Sequence, residues 1–469
     1  MDLDILFSNW QYQATNLLPN KWFGESRLTL PEWRELLNWC HNIYLLNETI
    51  SGIINLISRY CVTKVKVSID KQVWSGANIQ QSPEELEDQW SNILDVLDLQ
   101  NVLMEITKQF YIFGNVVITL MKPFVRNVQC PRCGRQDEFV ATPLDKQGDK
   151  LLRIYPSGEV VEAIQYIPVA RSDNKEVEFE GICPCGYKGR NFIVQDIQSL
   201  DPTKLKLTIL PIHQIELTYN RTSGESMIQY QPNIALPDNI QSCNVRTQFM
   251  IDTTPLDMLK AAVLKKNVIV PDAYFMKNST YKEPAEGYGV PPLLPVLKLA
   301  YQQILLRSAL TTMLTSYIMP MRILVPQTSG FEPRMGAGEL NTDVLANIAN
   351  ELQKVIKNPS YVPIFPIALQ LLNLDSGGIQ YADALLREYQ NISTQIAAAL
   401  NIPYDMLIGA RTWSGAAVSM RFVENYFSRI REQLKGFLKW LKRQLIPYLS
   451  GFVQDNEGNA IPNIKAMLV

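Results

Sequence analysis

Histidine is almost missing from this sequence: its 469 residues include only His41 and His213. Neither has a helix-spaced partner or a nearby serine or cysteine elbow, so the usual imidazole base of nucleophilic catalysis has no candidate. His41 follows Trp39 and Cys40 in an apolar helical run, which reads as a packed or partly exposed ring. A phosphate-cradling GxxxxGK[ST] loop is also lacking, and "RMGAGELN" at 334–341 has neither the third glycine nor the strand-then-helix setting of a dinucleotide fingerprint. The carboxylates Glu84, Glu85, Glu87 and Asp88 crowd the opening turns of one helix, where they oppose the positive end of its dipole. With no acid/base pair on a shared face, the chain reads as a non-enzyme.

Net charge is scarce too. Forty-four Lys and Arg stand against 46 Asp and Glu, a formal −2, so no overall basic excess advertises a tight nucleic-acid binder or a peripheral membrane protein. Long apolar runs do not occur: residues 308–321 are too few to span a bilayer, and 358–374 are broken by Pro359, Pro363 and Pro366. The opening "MDLDILFSNW" has two aspartates and no positive region before its apolar residues, so no secretory signal is expected, and synthesis and use in cytoplasm are.

What is present begins with cysteine. Of seven, Cys40, Cys61 and Cys243 stand alone and read as small buried hydrophobes. The other four form two knuckles, "QCPRCGRQ" with Cys130 and Cys133, and "GICPCGYK" with Cys183 and Cys185. A glycine follows each pair, Gly134 and Gly186, suiting a tight turn that aims backbone N–H groups at thiolate sulfur. Four thiolates from two such turns fill a tetrahedral Zn²⁺ shell, and the pattern resembles a zinc ribbon. It departs in the single residue between Cys183 and Cys185 and in the long separation of the pairs. Reduced, unliganded cysteines are the alternative. A closed four-thiolate shell has no open position, so its zinc would be structural. Between the knuckles, "LLRIYPSGEVVEAIQYIPVA" alternates around a Pro156-Ser157-Gly158 turn, as strands do.

The first 290 residues read as α+β, with helices packed on antiparallel strands. Helices are expected from Pro31, over 47–62, over 83–96 and 99–110, and around 255–265. Strands are expected at "TKVKVSI", at "YIFGNVVITLM" through Gly114, and at "KLKLTILPIHQIELTYN" followed by "SGESMIQYQP". After Gly289 the character changes. "GVPPLLPVLKLAYQQILLRSALTTMLTSYI" predicts a helix from Pro291 to Pro320, about 27 residues and roughly 40 Å. Its only charges are Lys298 and Arg307, and its other polar residues are scattered. Such a helix is either the centre of its own chain's core or flanked by copies of itself. Two strand-like pieces, 322–326 and 361–371, bracket a Gly/Pro loop and a helix around 342–356, and "YADALLREYQNISTQIAAALNI" returns. After the loop 403–415, a last helix carries an apolar seam of Val423, Phe427, Ile430, Leu434, Phe437 and Leu441. Its remainder is basic, either a solvated face or a surface for a partner or phosphate.

The order of parts from Tyr288 onward resembles the portal proteins of tailed bacteriophages. "YGVPPLLPVLKLAYQQILL" is similar to the start of the portal stem helix, and "REYQNISTQIAAALNIPYDMLIG" to the second stem helix and the turn after it. "AAVSMRFVENYFSRIREQLKGFLKWLKRQLIPYL" resembles the long helix beyond the tunnel loop. "QFYIFGNVVITL" and "LPIHQIELTYN" resemble strands of the portal wing. The resemblance covers nearly the whole chain except the cysteine insert.

That resemblance implies an α+β wing (1–125 and 193–288) interrupted by a zinc-ribbon-like insert (126–192). It further implies a stem helix (289–320), a small α/β clip (321–378), a second stem helix (379–402), a tunnel loop (403–415), a long helix (416–450) and a C-terminal tail (451–469) too short for a large crown. The function implied is a ring, typically a dodecamer, at one capsid vertex of the virion. Double-stranded DNA would be packaged and ejected through it without sequence specificity. Terminase, the major capsid protein and a tail adaptor would be its partners, and no membrane would be. Arg411, Thr412, Trp413 and Ser414 would meet DNA in the channel, with Trp413 alternatively anchoring the loop; Lys298 and Arg307 would lie on the stem. A channel wall poor in cations suits sliding, since each neutralised phosphate adds sequence-independent affinity. The competing expectation is a zinc-ribbon protein that binds or processes nucleic acid, supported by Arg126, Arg132, Arg135, Lys188 and Arg190 around the knuckles. A weaker third is a peripheral membrane protein using the basic last helix.

Overall fold

A computed structural model describes residues 29–62, 65–69, 83–140, 142–147, 150–155, 157–171, 176–220, 222–223, 225–237, 239–278, 287–318, 322–326, 346, 350–351, 354, 369–373, 378–403, 413–448, 453–454, 460–461 and 464–468. The architecture is α+β, mixing helices with small antiparallel sheets. The chain divides into two compact units. One comprises residues 1–300 and 395–469, the other 301–394.

In the first unit a helix runs Leu30–Leu46, with Pro31 in its first turn and Thr29 at the cap. The Thr29 N–H donates to the Glu32 carboxylate at 2.8 Å, satisfying a donor the helix itself leaves open. Asn47 starts the next helix, Glu48–Cys61, by accepting from the Ile50 N–H at 3.0 Å. The helix Leu99–Phe113 continues past Phe110, three residues into the stretch that reads as strand. It stops at Gly114, whose φ of 67° is a left-handed conformation open to glycine.

The strand Asn115–Met121 that follows is buried on both faces as far as Leu120. It is the centre of a three-stranded sheet, with Lys206–Leu210 and Tyr274–Lys277 antiparallel on either side. Lys206–Leu210 therefore belongs to a different sheet from Ile215–Tyr219, which pairs with Ser226–Tyr230. Asn115 is buried and ties the sheet to residue 289. Its amide donates to the Gly289 carbonyl at 2.9 Å, and its carbonyl accepts from the Gly289 N–H at 2.7 Å.

The long helix Trp413–Leu445 packs its seam inward: Phe427, Ile430, Leu434, Phe437 and Leu441 are all buried. Tyr274 of the central sheet packs its ring, tilted, against those of Phe437 and Trp440, and the Trp440 indole donates to the Asp272 carbonyl at 3.1 Å. Beyond this helix the segment read as a tail contributes the strand Ile464–Leu468. It pairs antiparallel with Val65–Ile69, so the expected strand there finds its partner about four hundred residues on.

The second unit holds most of two helices, Leu297–Ile318 and Gly378–Ala399, together with an antiparallel ribbon of Arg322–Pro326 and Leu369–Asn373. The expected start of the first helix at Pro291 is corrected by six residues. Pro295 has no N–H to give the Pro291 carbonyl, so the chain makes single 3₁₀ turns instead, Leu294 N–H to Pro291 O and Val296 N–H to Leu293 O. The α-helix that begins at Leu297 is about 33 Å long at 1.5 Å per residue. Gln303 and Ser393 are buried and joined at 2.6 Å. The helix expected around 342–356 lies almost wholly outside the described residues. No helix among the described residues is long and apolar enough to cross a membrane.

Candidate metal centre

Each knuckle caps a hairpin. Strand Phe124–Gln129 pairs antiparallel with Gln136–Phe139, and the turn between them holds Cys130 and Cys133. Strand Val177–Ile182 pairs with Lys188–Gly189 around Cys183 and Cys185. The two turns are built alike. Cys130 N–H donates to Arg135 O and Gly134 N–H to Cys130 O; Cys183 N–H donates to Tyr187 O and Gly186 N–H to Cys183 O, at 2.9 to 3.0 Å. Gly134 and Gly186 have φ of 71° and 84°, the left-handed conformation expected of them.

The four sulfurs converge. Cys130 Sγ lies 3.9 Å from Cys185 Sγ, and Cys133 Sγ lies 3.7 Å from Cys183 Sγ. All four fall within 4.8 Å of one another. A tetrahedron with Zn–S bonds of about 2.3 Å has S···S edges of about 3.8 Å, so the spacing suits one four-coordinate ion of that size. Both short pairs cross between knuckles; an ion here would fasten one hairpin tip to the other. Cys130 and Cys183 are buried while Cys133 and Cys185 are exposed, so the site has an apolar floor and a wet roof. Burial, reinforced by the neighbouring thiols, pushes Cys183 up to about 12, and an ion would hold it as thiolate instead.

The floor belongs to a core that the sequence does not delimit at residue 192. Cys130 and Cys183 pack with Val128, Phe139, Tyr166 and Phe179, and also with Ile240, Cys243, Ile251 and Leu259. The last four come from a later stretch holding the helices Val245–Thr253 and Leu256–Leu264. Two buried arginines bind those helices to the strands. Arg126 is fully buried and forks onto Asp196, Nε to Oδ1 at 2.7 Å and Nη2 to Oδ2 at 2.9 Å. It also donates to Tyr166 Oη, Ile251 O and Thr254 O. Arg153 lies over the Phe139 ring at 3.3 Å and donates to Asp252 Oδ2 and Thr142 Oγ1, each at 2.9 Å. These bonds satisfy most of two charges that would otherwise be costly to bury.

The basic residues around the knuckles are mostly engaged. Besides Arg126, Arg135 Nε donates to Asp137 at 2.9 Å and its Nη2 to the Glu162 carbonyl at 2.7 Å, and Arg190 faces Glu180 at 3.3 Å. Arg132 and Lys188 are exposed. The lone cysteines Cys40, Cys61 and Cys243 are buried, as their isolation suggests.

Of the other expected sites, Lys298 and Arg307 are exposed on the helix Leu297–Ile318. Arg411 and Thr412 lie outside the described residues, and Trp413 and Ser414 form the first turn of the helix Trp413–Leu445. Sequence reasoning missed the buried Arg126–Asp196 and Arg153–Asp252 pairs. Arginine in an alternating strand gives no local sign of which face it takes.

The sequence matches no protein-family model and no curated protein.

Proposed function

We propose that this chain is a subunit of a tailed-phage portal: a ring, typically of twelve, at one capsid vertex, through which double-stranded DNA is packaged and ejected. The observation that carries the reading is the second unit's helix pair. From Tyr301 to Thr312 only Gln303 is buried, and apolar side chains are left toward water, Leu305 at 41% and Leu386 on the returning helix at 49%. Helices this poor in charge need cover, and copies standing side by side in a ring supply it. The second unit also coincides with the segment whose order of helix, ribbon and helix resembles the portal stem and clip. In this reading the clip docks terminase and then the tail adaptor, the outer face meets the major capsid protein, and the subunit has no catalytic role. The structural ion at Cys130, Cys133, Cys183 and Cys185 is Zn²⁺, chosen for its preference for four thiolates.

A nucleic-acid-reading ribbon draws less support, because Arg126, Arg135 and Arg190 already have partners and Arg132 and Lys188 are too few to hold a backbone. Particle averaging and light scattering on the full chain test the portal reading. Rings with a central hole are expected, and Leu305→Arg combined with Leu386→Arg should shift them to smaller species without loss of fold. A uniform population of compact monomers overturns it.

A further inference from the structure

Each short sulfur contact in the cysteine cluster joins one knuckle to the other, and one exposed cysteine to one buried cysteine. Cys133 Sγ lies 3.7 Å from Cys183 Sγ, and Cys185 Sγ lies 3.9 Å from Cys130 Sγ. The buried member of each pair is fixed in the core, where Cys130 and Cys183 pack with Val128, Tyr166 and Phe179. An open thiol with a sheltered one directly behind it is the arrangement of an attacking cysteine and its resolving partner.

The distances suit a bond within each of these pairs. A disulfide has its sulfurs about 2.05 Å apart, so closing either contact moves each sulfur by under about 1 Å. The backbone need not follow, because Gly134 N–H to Cys130 O and Gly186 N–H to Cys183 O already close the two turns. Bonding within a knuckle is less favoured: a Cys183–Cys185 bridge would span Pro184 alone, whose ring fixes φ near about −65°. Cys40, Cys61 and Cys243 are buried, out of reach of an oxidant in solution.

We infer that this cluster is an oxidant-responsive modification site: a hydroperoxide converts it into two crossed disulfides, Cys133–Cys183 and Cys130–Cys185, which hold the hairpin tips together in place of an ion. The Cys133 thiolate attacks one peroxide oxygen, the O–O bond breaks, and the departing hydroxide takes a proton from solvent. The Cys183 thiolate then attacks the sulfur of the Cys133 sulfenic acid. The S–S bond forms as the S–O bond breaks, and a second hydroxide leaves and is protonated. Two thiolates have lost two electrons, and one hydrogen peroxide has become two waters. Cys185 and Cys130 repeat the sequence with a second peroxide. The hairpin tips thus stay fastened in a reducing or an oxidising medium. The inference needs the four thiols and their positions, not the ring proposed above, and it stands or falls separately from it.

The full chain, treated with a chelator and then with hydrogen peroxide, is digested with trypsin without reduction and mapped by mass spectrometry. Cleavage after Arg132 separates Cys130 from Cys133, and fragmentation between Cys183 and Cys185 reads which partner each carries. Cys133–Cys183 and Cys130–Cys185 are the expected products. Hydrogen exchange over residues 124–139 and 177–189 supplies a second readout, in which the reduced, chelator-treated chain should exchange about tenfold faster than the oxidised one. Any other pairing, sulfinic acid without a disulfide, thiols left unoxidised, or exchange that is no slower after oxidation overturns the inference.

Discussion

Replacing Asp196 by alanine should open one part of the molecule and leave the rest closed. Asp196 takes two of the five hydrogen bonds Arg126 gives, and its Oδ2 also accepts the Leu256 N–H at 2.8 Å, at the start of the helix Leu256–Leu264. Its loss leaves a fully buried guanidinium without its counter-charge and a helix start without its acceptor. Breaking a buried pair from one side costs about 3 to 5 kcal/mol. Were all of it spent on local opening, amide exchange in the affected helices would accelerate from about 150-fold to a few thousand-fold. Hydrogen-exchange mass spectrometry of peptides covering 245–264 measures this, with peptides from Leu30–Leu46 as the unaffected reference. Arg126→Met should do at least as much, because Tyr166 Oη, Ile251 O and Thr254 O then lose their donor as well. Exchange over 245–264 changing by less than about fivefold in both variants would refute the claim that this pair holds the helices to the cysteine unit.

Treatment with a chelator should raise the number of thiols open to a thiol reagent, counted by absorbance, by the exposed pair Cys133 and Cys185. Cys40, Cys61 and Cys243 should stay unreactive until unfolding, since they are buried and burial pushes Cys61 up to about 12 and Cys40 higher still. Gly114→Ala should cost about 3 kcal/mol or more in urea unfolding. A β-carbon there meets the Val290 carbonyl oxygen at 2.4 Å in a left-handed backbone. Gly134→Ala has the same backbone strain with nothing within 4 Å, and about 1 kcal/mol is expected. His213 titrates lower folded than unfolded, so the unfolded chain binds more protons between the two values and stability rises with pH there. The contribution is full above about pH 6.5 and is lost as pH falls through that value toward the folded one; His213→Gln should flatten this part of a melting-temperature profile.

The knuckles were legible because everything that makes them is local: two cysteines, a proline and a glycine close a turn whatever lies elsewhere. Which sulfur faces which was not, since the cross-knuckle pairs depend on two hairpin tips meeting in space. The core beneath them escaped for the same reason. Ile240, Cys243, Ile251 and Leu259 are ordinary apolar residues, and nothing around them names Cys130 as a neighbour. Gly114 signalled a change of element, and its β-branched successors a strand, but Tyr111, Ile112 and Phe113 suit either element, and tertiary packing decided for helix. At the helix Leu297–Ile318, Pro291 and Pro292 looked like a start while Pro295, four residues on, forbade it. The helical seam of the last helix was plain in its spacing, and every described member of it is buried.

The pairing of Val65–Ile69 with Ile464–Leu468 bears on biogenesis. At about 5 to 20 residues per second, a ribosome needs roughly 20 to 80 s to make the chain between the two strands. Throughout that interval the earlier strand has an unsatisfied edge, open to any other nascent copy on the same message. Closure of this corner waits until Ile464–Leu468 has left the ribosome, long after the strands between residues 115 and 277 are free to pair with one another.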